Sequence, residues 1–302
     1  MEFKEILLIH LGGLGDFCLS ESTFLSITRH FRESVVGLGT RRFFNLFKNY
    51  FDRIHNIESA RWLYLFSNRP TDILWEKIIF IGKDRAGTLR ERWQRFSRTD
   101  LLFIDMYPEG AFGDLEDCLW MSNSSFPQKD DKAVVIQQFA AEHQWIEDYQ
   151  LAQLTYSGIT ALRREILPKP SSRVVLYPEK RLKKGKWHYH NFTKLHQSLK
   201  SRGLETYIIQ PFDLDLGIVE STTIEELTDM KAFLEQGGVF ISNDSGMAHL
   251  AGMCGLFTIT IFTDFDPLVW HPRGVHQILK WGKDRIDVET IEKIILDHLA
   301  MS

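Results

Sequence analysis

Short runs of consecutive apolar residues recur along the chain, at 5–10, 35–38, 78–81, 101–105, 173–177, 206–209, 239–242 and 256–262. A run of this length without polar alternation fits a strand buried on both faces, as in a parallel sheet covered by helices. Residues 53–57 form a further short strand. Between the runs, apolar positions return every three or four residues. Residues 17–31, 41–50, 84–98, 191–202, 223–235 and 286–300 read as helices, and 130–164 as a helical region. Strand and helix alternate twice over, which gives an α/β chain of two consecutive units. The stretch Leu167-Pro168-Lys169-Pro170-Ser171-Ser172 parts them. The boundary is placed at 168, with domains over 1–168 and 169–302. Ligand-type loops at the strand ends of both units imply a cleft between them.

Two strand-to-helix junctions carry candidate chemistry. In the first, Leu11-Gly12-Gly13-Leu14-Gly15-Asp16 follows the opening strand. Glycines at 12, 13 and 15 let a ligand approach the backbone, and Asp16 shares that space. The spacing is not the G-x-G-x-x-G of a dinucleotide site. In the second, Asn243-Asp244-Ser245-Gly246 closes a strand and opens a helix with Met247, Leu250, Ala251 and Cys254 at helical spacing. A helix N-terminus there favours an anion such as phosphate. Asp16 and Ser245 would equally serve as plain helix caps.

Composition narrows the class. The 302 residues carry a net charge of −4, with 44% hydrophobic and 25% charged residues. That is a folded chain with no overall case for nucleic acid. Cys18, Cys118 and Cys254 have no paired or ligand-like spacing and read as buried thiols. No run is long and apolar enough to span a bilayer, and the start lacks a signal-peptide pattern, so a cytoplasmic location is expected. Charge is uneven: 15 basic residues face 7 acidic ones over 29–98, against 1 and 8 over 99–131. The basic part interleaves Arg90, Arg92, Arg95 and Arg98 with Trp93 and Phe96, which suits an anionic lipid surface or a phosphorylated acceptor; aromatics at helical spacing are more often core, which favours a solvated helix face. His188, His190 and His196 lack metal-ligand spacing, and no metal or cofactor is expected.

Three ordered segments resemble the heptosyltransferases of glycosyltransferase family 9. They are Ile6–Asp16; Val174-Val175-Leu176-Tyr177-Pro178 with the Lys184 to Trp187 loop and Phe192; and Asn243 to Gly252 continuing through Phe262, Asp266-Pro267, Trp270, Pro272 and Gly274. The resemblance implies a GT-B fold, two Rossmann-like domains facing each other across a cleft. It also implies inverting, metal-independent transfer of heptose from ADP-heptose to the lipopolysaccharide core, at the cytoplasmic face of the inner membrane. By the same match Asp16 is the general base, beside Gly12, Gly13 and Gly15 on the acceptor side. Asp244, Ser245, Gly246, Met247 and His249 form the donor-binding run; from the charge of the loop itself, a lysine among Lys183, Lys184 and Lys186 would contact the phosphates. The partners implied are a nucleotide-diphosphate sugar, a glycolipid or saccharide acceptor, and the membrane surface.

The chain departs from the family pattern at four places. Gly185 occupies the usual lysine slot, and His188 replaces a proline. Thr263-Asp264-Phe265 stands for Gly-Pro-Thr. No glutamate follows Gln210-Pro211, where Asp213 or Asp215 could substitute. A degenerate sugar-nucleotide-binding protein and a nucleotide-sugar epimerase stay open as alternatives.

Overall fold

The computed structural model describes residues 2–67, 73–84, 87–96, 98–108, 145–179, 187–211, 217–218, 220–263, 265–284 and 286–301. The chain divides into two compact units, Met1–Arg164 and Glu165–Ser302. The division precedes residue 168 for a visible reason. Arg164 pairs with the buried Glu21, and the Leu162 carbonyl accepts from Ser26 Oγ at 3.2 Å, so the chain stays on the first unit up to 164. Lys169 is already docked on the second, its N–H donating to the Gly255 carbonyl at 2.9 Å.

The first unit is a five-stranded parallel sheet in the order β3-β2-β1-β4-β5. Its strands are β1 (Glu2–His10), β2 (Ser34–Gly39), β3 (Arg53–Asn56), β4 (Leu74–Gly82) and β5 (Asp100–Asp105). The second is a six-stranded parallel sheet in the order β11-β10-β9-β6-β7-β8. It contains β6 (Val174–Tyr177), β7 (Thr206–Gln210), β8 (Ser221–Thr223), β9 (Val239–Asn243), β10 (Phe257–Phe262) and β11 (His276–Lys280). All pairings are parallel, so within each unit the carboxyl ends of the strands share one edge.

Strand order reverses beside β1 in the first unit and between β6 and β9 in the second. Ligands of open α/β sheets bind at such reversals, outside the carboxyl ends. Gly12–Asp16 follows β1, and Asp244–Gly246 follows β9. Each candidate loop therefore lies where the topology of its own unit opens a crevice.

The helices depart from the sequence reading at several points. Residues 17–31 form two helices, α1 (Leu14–Leu19) and α2 (Glu21–His30), broken at Ser20. Residues 41–50 form α3 (Arg41–Phe44) and a 3-10 turn, Asn45–Tyr50. Another 3-10 turn and α4 (Leu63–Phe66) follow, neither expected. The basic helix shrinks to α5 (Thr88–Trp93), because the Asp84 carboxylate accepts from the Leu89 and Arg90 N–H groups and starts the helix late. Trp93 and Phe96 are core residues, so the aromatics of this segment form no lipid-facing surface. Within 130–164 the described helix is α6 (Ile146–Tyr156), and 159–172 runs without helix.

In the second unit, α7 (Tyr189–Ser201), α8 (Leu227–Leu234), α9 (Gly246–Met253), α10 (Pro267–Trp270) and α11 (Val288–Met301) cover the sheet. Its core runs through Val174, Leu176, Trp187, Phe192, Ile241, Ile259 and Ile295. Strands β8 and β11 escaped the sequence reading. The unexpected one-turn α10 is started by Asp266, which accepts from the Leu268 N–H at 3.0 Å, with proline in its first turn. No helix among the described residues is long and apolar enough to cross a membrane.

Candidate active site

In the first unit the site begins with α1, which Gly13 caps. The Gly13 N–H donates to Asp16 Oδ2 at 2.8 Å, and the half-buried carboxylate lies in the first turn. Burial raises the Asp16 pKa from 3.8 to about 6, against the opposing pull of the Gly13 hydrogen bond. A carboxylate tuned toward neutrality suits a general base. Gly12 is dictated by close approach. A Cβ there would stand 2.6 Å from Asp16 Cβ and 2.8 Å from Met106 Cε. Gly15 lies within α1, one residue before the carboxylate.

Arg41 follows β2, and His55 and Arg61 lie on and after β3, all toward the carboxyl edge that carries Asp16. The His55 pKa is lowered first by burial and then by Arg61, Arg53 and Arg41. Arg41, Arg42 and Arg61 are exposed, whereas Arg53 opens β3 at the amino end and pairs with Glu5. This edge presents cationic charge beside the loop.

In the second unit, Ser245 caps α9 in an extended conformation. Gly246 and Met247 are the first helical residues, and their N–H groups lie in the turn that lacks intrahelical partners. The Met247 side chain packs into the core, which leaves its backbone as the ligand-facing part. Ser245 Oγ and His249 Nδ1 are both buried, and neither has a hydrogen-bond partner among the described residues. They are four residues apart, on one side of the helix. The His249 pKa falls to about 3, first through burial and then through His271. Its ring is therefore neutral at working pH and offers hydrogen bonding rather than charge. Asp244 donates its N–H to the Ile261 carbonyl at 2.9 Å, which ties the loop to β10.

Other motif positions prove to be scaffolding. A Cβ on Gly252 would overlap the Arg273 carbonyl oxygen, so this glycine lets α9 press against the Pro272–Gly274 turn. Trp187 is buried, with its Nε1 donating to the Ile286 carbonyl at 3.1 Å and its ring against Phe192. Lys184 and Lys186, with Gly185, lie outside the described residues, as do Cys118, Asp213, Asp215 and Asp264. Cys18 and Cys254 are buried. His196 is engaged by Thr206 and Glu220, at 2.8 and 3.0 Å.

Two site residues were not legible as such. Asn243 ends a wholly buried strand, and its side chain binds the Trp187 backbone. His10 ends the opening strand and bonds Gly12 and Ser20. The available signal was the same in both: one polar residue closing an apolar strand.

The description "Glycosyltransferase family 9 (heptosyltransferase)" matches residues 118–290, more than half of the sequence. The chain belongs to this family. It is a glycosyltransferase. Solved structures agree on the fold. A family 9 glycosyl transferase from Veillonella parvula DSM 2008 is 13% identical with a TM-score of 0.63, covering 100% of this chain and 99% of its own. E. coli heptosyltransferase WaaC with ADP is 11% identical, TM-score 0.63, covering 97% and 99%. E. coli ADP-heptose lps heptosyltransferase II is 12% identical, TM-score 0.58, covering 98% of each. The fold class is thus α/β of the GT-B type. No curated protein matches the sequence. The family match begins after Asp16, so that residue's assignment rests on its own geometry.

Proposed function

We propose that this family member is an inverting, metal-independent heptosyltransferase that uses ADP-heptose and extends the lipopolysaccharide inner core. The observation that carries the donor assignment is a pair of buried atoms with no partner among the described residues, Ser245 Oγ and His249 Nδ1, at the start of α9. A buried polar atom without a partner costs stability, and a phosphate oxygen is the ligand a helix N-terminus favours. Gly246 and Met247 contribute backbone N–H groups. Lys184 or Lys186 supplies positive charge, and Asp244 accepts from a sugar hydroxyl.

Chemistry is a single displacement. An acceptor hydroxyl oxygen attacks the anomeric carbon while Asp16 takes its proton. The bond from that carbon to the diphosphate oxygen breaks with its electron pair, and ADP leaves. Donors at the α9 N-terminus stabilise the charge that develops on the leaving group. The arginines around His55 fit a phosphate-bearing glycolipid acceptor, and a peripheral contact with the cytoplasmic face of the inner membrane follows from that acceptor.

The test is ADP release from ADP-heptose with heptose-deficient lipopolysaccharide as acceptor. Acceptor-dependent release that Asp16→Asn abolishes supports the proposal. ADP binding without turnover under any acceptor would refute it. So would consumption of the sugar nucleotide with no acceptor present.

A further inference from the structure

We propose that His10 is a positioning residue for Asp16: one buried imidazole fastens both ends of the segment that carries the carboxylate. The inference rests on Asp16 being the base. His10 closes β1 and is fully buried. Its Nδ1 accepts the Gly12 N–H at 3.2 Å. An N–H can only donate, so the ring proton sits on Nε2 and is offered to Ser20 Oγ, also at 3.2 Å. Gly12 precedes Asp16 by four residues, and Ser20 follows it by four. The ring also packs on Phe17 at 4.0 Å between centroids and on Phe24 at 5.7 Å.

An ordinary core histidine would meet the same aromatics. What separates His10 is what its partner does. Gly12 forms the wall of the Asp16 site, close enough to exclude even a methyl group. A six-residue helix is marginal by itself. Beside the Gly13 hydrogen bond to Asp16 itself, the ring restrains the segment from both sides. Burial lowers its pKa to about 3, so the ring stays neutral and both bonds persist at working pH.

The experiment is steady-state kinetics with ADP-heptose and heptose-deficient lipopolysaccharide on four variants. His10→Phe keeps the packing and removes both hydrogen bonds. It is expected to lower kcat by about 10- to 100-fold, with KM for ADP-heptose unchanged. His10→Asn, whose Oδ1 replaces the Nδ1 acceptor, recovers most of that loss. Ser20→Ala, a milder change, lowers kcat by a smaller factor with the same KM. Wild-type kcat in both His10→Phe and Ser20→Ala overturns the proposal. So does a loss of ADP binding and melting temperature that His10→Asn fails to rescue, since that pattern marks a merely structural residue. The base assignment is read separately: Asp16→Asn with wild-type kcat defeats both ideas, whereas inactive Asp16→Asn beside normal His10→Phe and Ser20→Ala defeats positioning alone.

Discussion

Asn243 grips the backbone of Trp187 from both sides. Its Oδ1 accepts the Trp187 N–H at 2.8 Å, and its Nδ2 donates to the Trp187 carbonyl at 3.2 Å. Asn243 is 1% exposed, and the two residues are 56 positions apart in sequence. The clamp ties Trp187, two residues before α7, to the end of β9, one residue before Asp244. Asn243→Asp replaces a donor with a carboxylate oxygen facing a carbonyl. The expected cost is about 2–4 kcal/mol, read by denaturant unfolding, together with weaker ADP binding by calorimetry. An Asn243→Asp protein with unchanged stability would show that the clamp is incidental.

Asp16 gives a pH dependence with two opposite signs. As a base it must be ionised, so kcat rises with pH through an acid limb near 6. Asp16→Asn removes the limb and lowers kcat by about 10²- to 10⁴-fold. Stability runs the other way. Its folded pKa lies above the ordinary 3.8, so between about 4 and 6 the folded chain keeps a proton that the unfolded chain has released. This group's contribution is therefore present below that window and lost as pH rises through it. Asp16→Asn should raise stability at pH 7 relative to pH 4. Chemical denaturation across pH 4–7 checks this, and an unchanged slope would contradict the raised pKa.

The strands were legible because their burial is written as unbroken apolar runs. β8 and β11 were not: Ser221–Thr223 is three polar residues, and His276–Lys280 mixes polar and apolar positions as an edge strand does. Helix lengths misled where one side chain overrides periodicity, as Asp84 does for α5. The site divides similarly. Asp16, Ser245 and His249 sit in local motifs at strand ends, and the sheet reversals put those ends where ligands bind. His10 and Asn243 act through backbone groups that only the folded chain brings to them. Gly252 and Gly274 read as motif positions, yet they serve the packing of α9 on its neighbouring turn.

That packing is testable at Gly252. A methyl group there overlaps the Arg273 carbonyl, and backbone on both sides has little room to yield. Gly252→Ala is expected to cost about 1–3 kcal/mol, despite alanine's better helix propensity. Calorimetry should show a melting temperature lower by roughly 2–12 °C for a protein of this size. A stabilised Gly252→Ala would mean that α9 is free to move away from the 272–274 turn.

Ser245 separates a binding residue from a structural one. A helix-capping serine that bonds the first turn loses about 1 kcal/mol on truncation. Ser245 makes no such bond: its Oγ is buried with no partner among the described residues, and it makes no side-chain cap on α9. Ser245→Ala should therefore leave the unliganded protein as stable as wild type or slightly more so, because an unsatisfied polar atom is removed. Its cost should appear only with ligand. Under the proposed function, ADP is expected to raise the melting temperature of the wild type by mass action. A lost phosphate hydrogen bond, at about 1.5–3 kcal/mol for a charged partner, weakens binding by roughly 10- to 150-fold and shrinks that rise. Stability lost without ADP, with ADP affinity intact, would return Ser245 to the role of a cap and withdraw the main support for placing the donor at α9.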